Sequence, residues 1–115
     1  MGLGRFQINV DLDTATDPDD TILLAAPGAR ETIYILWLSV ITTTAEASTH
    51  VLIEDGAGGD TLDIILTTAV GSQVRNYGTV PHTDGLKLTV NTLLNASTVG
   101  GTSQDVRVVG EVEVR

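Results

Sequence analysis

Apolar and polar residues alternate with a period of two in short runs along the chain, and no window sustains the i, i+3, i+4, i+7 spacing of an amphipathic helix. Phe6, Ile8, Val10 and Leu12 alternate with Arg5, Gln7, Asn9 and Asp11, which predicts a first strand with one buried face. Residues 14–20 (TATDPDD) read as a polar turn set by Asp17-Pro18. Strands are then expected over 21–26, ended by Pro27-Gly28, over 31–44, the longest, and over 48–54, with Val51 and Ile53 on one face. The glycine-rich stretch from Asp55 to Asp60 turns the chain into a strand over 61–67, where Leu62, Ile64 and Leu66 share a face. A strand over 71–77 closes at Gly78, and Pro81 and Asp84-Gly85 mark the next turn. Leu86, Leu88 and Val90 alternate with Lys87, Thr89 and Asn91. The small, polar residues 95–103 read as a connection before a last strand, which sets Val106, Val108, Val112 and Val114 opposite Arg107, Val109, Glu111 and Glu113.

About eight short strands with turns between them and no internal repeat predict an all-β, single-domain antiparallel β-sandwich, jelly-roll-like in form. An immunoglobulin-like sandwich is the alternative, although its Cys…Trp…Cys signature is absent. Composition agrees. Threonine, valine and isoleucine number 17, 13 and 8, side chains that pack well on a pleated surface. The 115 residues make one domain, able to bury roughly 65% of the surface of its unfolded chain. Residues 1–20 supply the first strand, the acidic turn and a candidate arm; residues 21–115 supply the body of the sandwich.

One segment departs from simple alternation. Along 33–41, Ile33, Ile35, Trp37 and Ile41 fall on one face, while Tyr34, Leu36, Leu38 and Val40 fall on the other. Both faces are apolar, whereas a free-standing antiparallel sandwich normally keeps one face solvated. Something must cover the outer side. Either a loop or the N-terminal arm folds over it, or Tyr34, Leu36, Leu38 and Val40 form a subunit interface in a closed homo-oligomer.

Charge narrows the field of partners. Fifteen acidic against six basic side chains give a net charge of −9, and Lys87 with five arginines is too few for a phosphate-binding surface, so no nucleic-acid partner is expected. The longest apolar run, from Ile33 to Leu38, is far below the ~20 residues of a membrane helix. No membrane partner is expected either, and nothing near the N-terminus resembles a secretion signal. Without cysteine there is neither disulfide nor thiolate metal ligand.

Candidate chemistry is sparse. His50 and His82 stand far apart in polar surroundings, and no G-x-S-x-G elbow is present. The acidic stretch 11–20 carries oxygen ligands at alternate positions, as a calcium loop does. It departs from the EF-hand, however, with Thr16 where glycine and Ile22 where glutamate would stand. It reads either as a solvated turn or as an irregular calcium loop, and no metal or cofactor is assigned. Gly56, Gly58 and Gly59 are not followed by the Lys-Ser/Thr of a phosphate loop. One tryptophan and two tyrosines offer few platforms for sugar rings, and Tyr77 beside Gly78 is the natural loop aromatic. No catalytic residue is assigned, and the chain reads as a non-enzyme.

From Ile22 onward the chain resembles the small phage capsid decoration (cement or head-stabilising) proteins. The resemblance rests on LLAAPGARETIYILWLSV, HVLIEDGAGGDTLDI, TDGLKLTV and DVRVVGEVEV, and covers about 90 residues. It implies a jelly-roll sandwich, often trimeric, that clamps neighbouring subunits of the major capsid protein on the outer surface of the head. By the same analogy an N-terminal arm, residues 2–6 here, would engage the shell through Gly4, Arg5 and Phe6. The alternatives are a tail or head–tail joining protein, separable by six- or twelvefold ring stoichiometry, and a carbohydrate- or receptor-binding sandwich.

Overall fold

The structure, a computed structural model, describes residues 2–13, 20–78, 85–101 and 103–115. Among these there is no helix, and nine strands follow one another: β1 (Gly4–Asp13), β2 (Asp20–Leu24), β3 (Ile33–Thr44), β4 (His50–Asp55), β5 (Asp60–Leu66), β6 (Gly71–Asn76), β7 (Leu86–Lys87), β8 (Leu94–Val99) and β9 (Asp105–Val114). One sheet, A, has the order β1-β9-β3-β6, with β7 also against β3; the other, B, has the order β2-β8-β4-β5. Every pairing is antiparallel.

Leaving aside the two-residue β7, the pairs nest from the outside in. The first long strand pairs with the last, β2 with β8, β3 with β6, and the β4–β5 hairpin lies at the centre. This is the wrapped double ribbon of a jelly roll. The β3–β9 and β4–β8 ladders join the pairs into two sheets.

The alternation of β1 and β9 works as the sequence predicts. Ile8 and Leu12 on β1, with Val106, Val108, Val112 and Val114 on β9, point into the core, where Val51, Ile53, Ile65, Leu94 and Ala96 meet them from the other sheet. Fully burying a Val, Leu or Ile side chain contributes about 1.5–3 kcal/mol, so this layer is the main source of stability.

Gly110 interrupts the valine run of β9 opposite Leu38. A Cβ there would stand 2.3 Å from the Trp37 carbonyl oxygen and 2.7 Å from Leu38 Cδ2. Only glycine lets β3 approach this closely, next to the irregularity between Ile35 and Trp37.

Two expectations change. The small, polar segment after residue 94, read as a connection, is β8, a central strand of sheet B. Conversely, the alternation from Leu86 to Val90 yields only the two residues of β7. Leu88 is nonetheless buried, and its N–H donates to the Ile33 carbonyl at 3.0 Å.

Candidate functional site

The apolar ribbon of β3 does not form the surface that its sequence suggests. The register of β3 against β9 shifts between Ile35 and Trp37, so Leu36 is an extra residue and the inward phase changes there. Before the bulge Ile33 and Ile35 face the core; beyond it Leu38 and Val40 do. Leu36, Leu38 and Val40 are all buried within the single chain. The expected subunit interface through these three residues is therefore corrected: the chain covers them itself. Tyr34, the fourth, is half-buried, and the Arg115 guanidinium lies over its ring at 3.9 Å from the centroid. Arg115 in turn donates from Nε to Glu113 Oε1 at 2.5 Å.

The candidate shell contacts lie in a strand and not in a free arm. Gly4, Arg5 and Phe6 belong to β1, paired with Val114, Glu113 and Val112 of β9. Phe6 packs against the core, and Arg5 forms a 2.9 Å ion pair with Glu111. Backbone hydrogen bonds to β9 thus hold this segment in the sheet from Gly4 onward.

With the ribbon's phase resolved, the outer face of sheet A consists of cross-strand rows. One row sets Gln7, Glu111, Trp37 and Asn76 side by side. The next sets Asn9, Val109, Ser39 and Val74, and a third brings together Asp11, Arg107, Ile41 and Ser72. Arg107 there donates to Asn9 Oδ1 and to Asp11 Oδ2, the latter at 2.8 Å.

The outer face of sheet B differs. His50, Leu66 and Val99 form one row, and Leu52, Ile64 and Ser97 the next. Ile64 and Leu66 are 52% and 55% exposed. The sequence groups them with Leu62, yet Leu62 packs against the core while they turn outward. The cause is a second bulge: Ile53 pairs with Asp63 and Glu54 with Thr61, which skips Leu62. The result is an exposed aliphatic patch, bordered by Asp20 in the same row, on a strongly acidic protein.

Beside it lies a polar cluster that the sequence reading missed. Ser97 Oγ is 2.6 Å from Asp20 Oδ1 and 2.5 Å from Glu54 Oε1, and Asn95 Nδ2 donates to the same two oxygens at 3.0 and 2.9 Å. Asn95 and Glu54 are buried. The amide and hydroxyl hold two carboxylates together and tie β2 to β4 across β8. The only forewarning is the small, polar run of β8, whose side chains leave room for the acids.

At the side of the sandwich, Asp63 of β5 accepts from Tyr77, just beyond β6, at 2.5 Å, and pairs with Arg75 Nε at 3.3 Å. Burial, then the Asp63 hydrogen bond and its negative charge, push the Tyr77 hydroxyl well above its ordinary pKa, and Arg75 opposes this only in part. Tyr77 is thus a half-buried clasp between the sheets rather than a loop platform.

Of the candidate chemical residues, His50 stands half-exposed on β4, while His82 and residues 14–19 of the acidic stretch lie outside the described residues. Among the described residues no three His, Cys, Asp or Glu side chains gather as metal ligands, and no helix is long and apolar enough to cross a membrane. The hairpin glycines form a tight turn, with Gly59 N–H donating to the Gly56 carbonyl at 3.0 Å. No family model matches the chain, and no curated protein matches it in sequence.

Proposed function

We propose that this protein is a capsid decoration, or cement, protein that binds the outer surface of a phage head as a homo-oligomer, a trimer, and stabilises the shell. The observation that carries the reading is where the resembling segments lie in the nested frame. LLAAPGARETIYILWLSV runs from the end of β2 through most of β3; HVLIEDGAGGDTLDI takes in all of β4 and most of β5; DVRVVGEVEV is the whole of β9. A cement protein needs a rigid, compact body, many copies and no chemistry, and several modest contacts on one lattice act together through avidity. The aliphatic patch around Leu52, Ile64 and Leu66 is the surface we assign to the major capsid protein. The acid-rich remainder discourages filled particles from associating.

The test mixes the purified protein with expanded and unexpanded phage heads. Saturable binding to one of them is expected, weakened at least tenfold by Ile64→Lys with Leu66→Lys. Failure to bind either at saturating concentration rejects the reading. A native mass of three copies is expected; six or twelve would favour a head–tail joining protein, and a monomer at micromolar concentration would remove the oligomer.

A second reading has one observation in its favour. Trp37 is half-buried on the outer face of sheet A in a row with Gln7, Glu111 and Asn76, an aromatic side chain among hydrogen-bonding groups, as a carbohydrate-binding sandwich requires. Glycan-array binding that disappears in Trp37→Ala would establish it, and an array without hits would close it.

A further inference from the structure

The β4–β5 ladder has a fixed phase. Thr67 N–H donates to the Thr49 carbonyl at 3.1 Å, so residues 63, 65 and 67 turn their backbone groups towards β4, while 64 and 66 turn theirs to the free edge of sheet B. At that edge side chains occupy the positions a further strand would use. Ile64 N–H donates to Asp63 Oδ1 at 2.8 Å, and the Leu66 carbonyl accepts from Gln73 Nε2 at 2.6 Å. Gln73 reaches across from β6, the edge of the opposite sheet. Asp63 is itself fixed on its other oxygen by Tyr77 and Arg75, from the same side. Without these caps β5 would be an open edge strand presenting Ile64 and Leu66 to solvent, the kind of edge that recruits other chains.

We infer that Asp63 and Gln73 lock the free edge of β5 against strand addition, and that the strand they exclude is β5 of a second copy. An antiparallel two-fold pairing centred on Ile64 sets Ile64 against its own counterpart. Asp63 falls opposite Ile65, so no like charges meet at the centre of the pair. The exposed Ile64 and Leu66 side chains of both copies then form one continuous apolar surface. The lock stands independently of the capsid reading, because it concerns an edge that the wild-type chain keeps closed whatever else it assembles with.

The experiment compares the wild type with Asp63→Ala/Gln73→Ala by sedimentation equilibrium over a wide concentration range. The double variant is expected to double the wild-type mass, with an association constant at least tenfold higher, and Ile64→Lys in the same background should return it to the wild-type mass. In dilute Asp63→Ala, the Ile64 amide should exchange with solvent about tenfold faster than in the wild type, the neighbouring β4-facing amides being unchanged. A folded double variant that keeps the wild-type mass overturns the inference, as does association that survives Ile64→Lys. Should the double variant not fold, Gln73→Ala alone frees the Leu66 carbonyl, leaves Asp63 and its partners in place, and is judged by the same masses.

Discussion

The Tyr77 hydroxyl donates to Asp63 Oδ2 at 2.5 Å, joining the two sheets at their open side, while the Tyr77 backbone N–H donates to the Leu36 carbonyl at 2.9 Å. Burial first, and then this contact, favours the protonated phenol, so the folded-state pKa lies above the unfolded value near 10. The resulting stability is fully present below about pH 10 and is lost as the pH rises towards the folded pKa. Denaturation at a series of alkaline pH values is expected to show stability falling from about pH 10, with Tyr77 ionising late by near-ultraviolet absorbance. Tyr77→Phe should remove this component and cost about 1.5–3 kcal/mol at neutral pH, the usual range for a hydrogen bond to a charged group.

Leu38→Ala separates a core residue from an interface residue. Leu38 is buried by its own chain, so truncation should cost about 2–5 kcal/mol in denaturant unfolding. The mass of the folded assembly should stay as in the wild type. A changed mass with unchanged stability would restore the interface expected from the sequence.

Gly110→Ala tests the close approach of β3 and β9. The added methyl would meet the Trp37 carbonyl oxygen and Leu38 Cδ2, both from the central strand of sheet A. A loss of about 3 kcal/mol is expected, at the upper end of overpacking costs because part of the obstacle is backbone. Urea unfolding of the purified variant would measure it.

Asn95→Ala removes the amide that bridges Asp20 and Glu54. The buried Glu54 would keep only Ser97 from this cluster, and a loss of about 2–3 kcal/mol is expected. Ser97→Ala should cost less, about 1 kcal/mol, because Asn95 still holds both acids. Thermal unfolding of both variants at neutral pH tests the order.

Strands with one wet face could be recognised from the sequence for a physical reason: in β1 and β9 the hydrophobic side is the inner side throughout. The ribbon of β3 lacked that contrast. With apolar residues on both faces, nothing in the pattern shows that Leu36 is an extra residue, and the bulge decides which side chains turn inward. The same holds for β5, where skipping Leu62 turns Ile64 and Leu66 outward. The β8 strand was hidden differently. Its Asn95 and Ser97 have low strand preference and are accommodated by the carboxylates of β2 and β4, partners distant in sequence. The lock on β5 likewise depends on Gln73 reaching the Leu66 carbonyl from the other sheet, which no local pattern reports.

The pairing of β1 with β9 sets Gly4 beside Val114, and Arg115 exchanges backbone hydrogen bonds with Thr32 at 2.9 Å in both directions. Anything fused to either end of these 115 residues would therefore leave from the same pole. A short peptide bridge between the ends should give a circularised chain that can be reopened at the 56–59 hairpin without disturbing the nested frame. A cargo tethered at that pole would leave the Ile64 and Leu66 surface free, which makes the ends the natural place for an attachment handle.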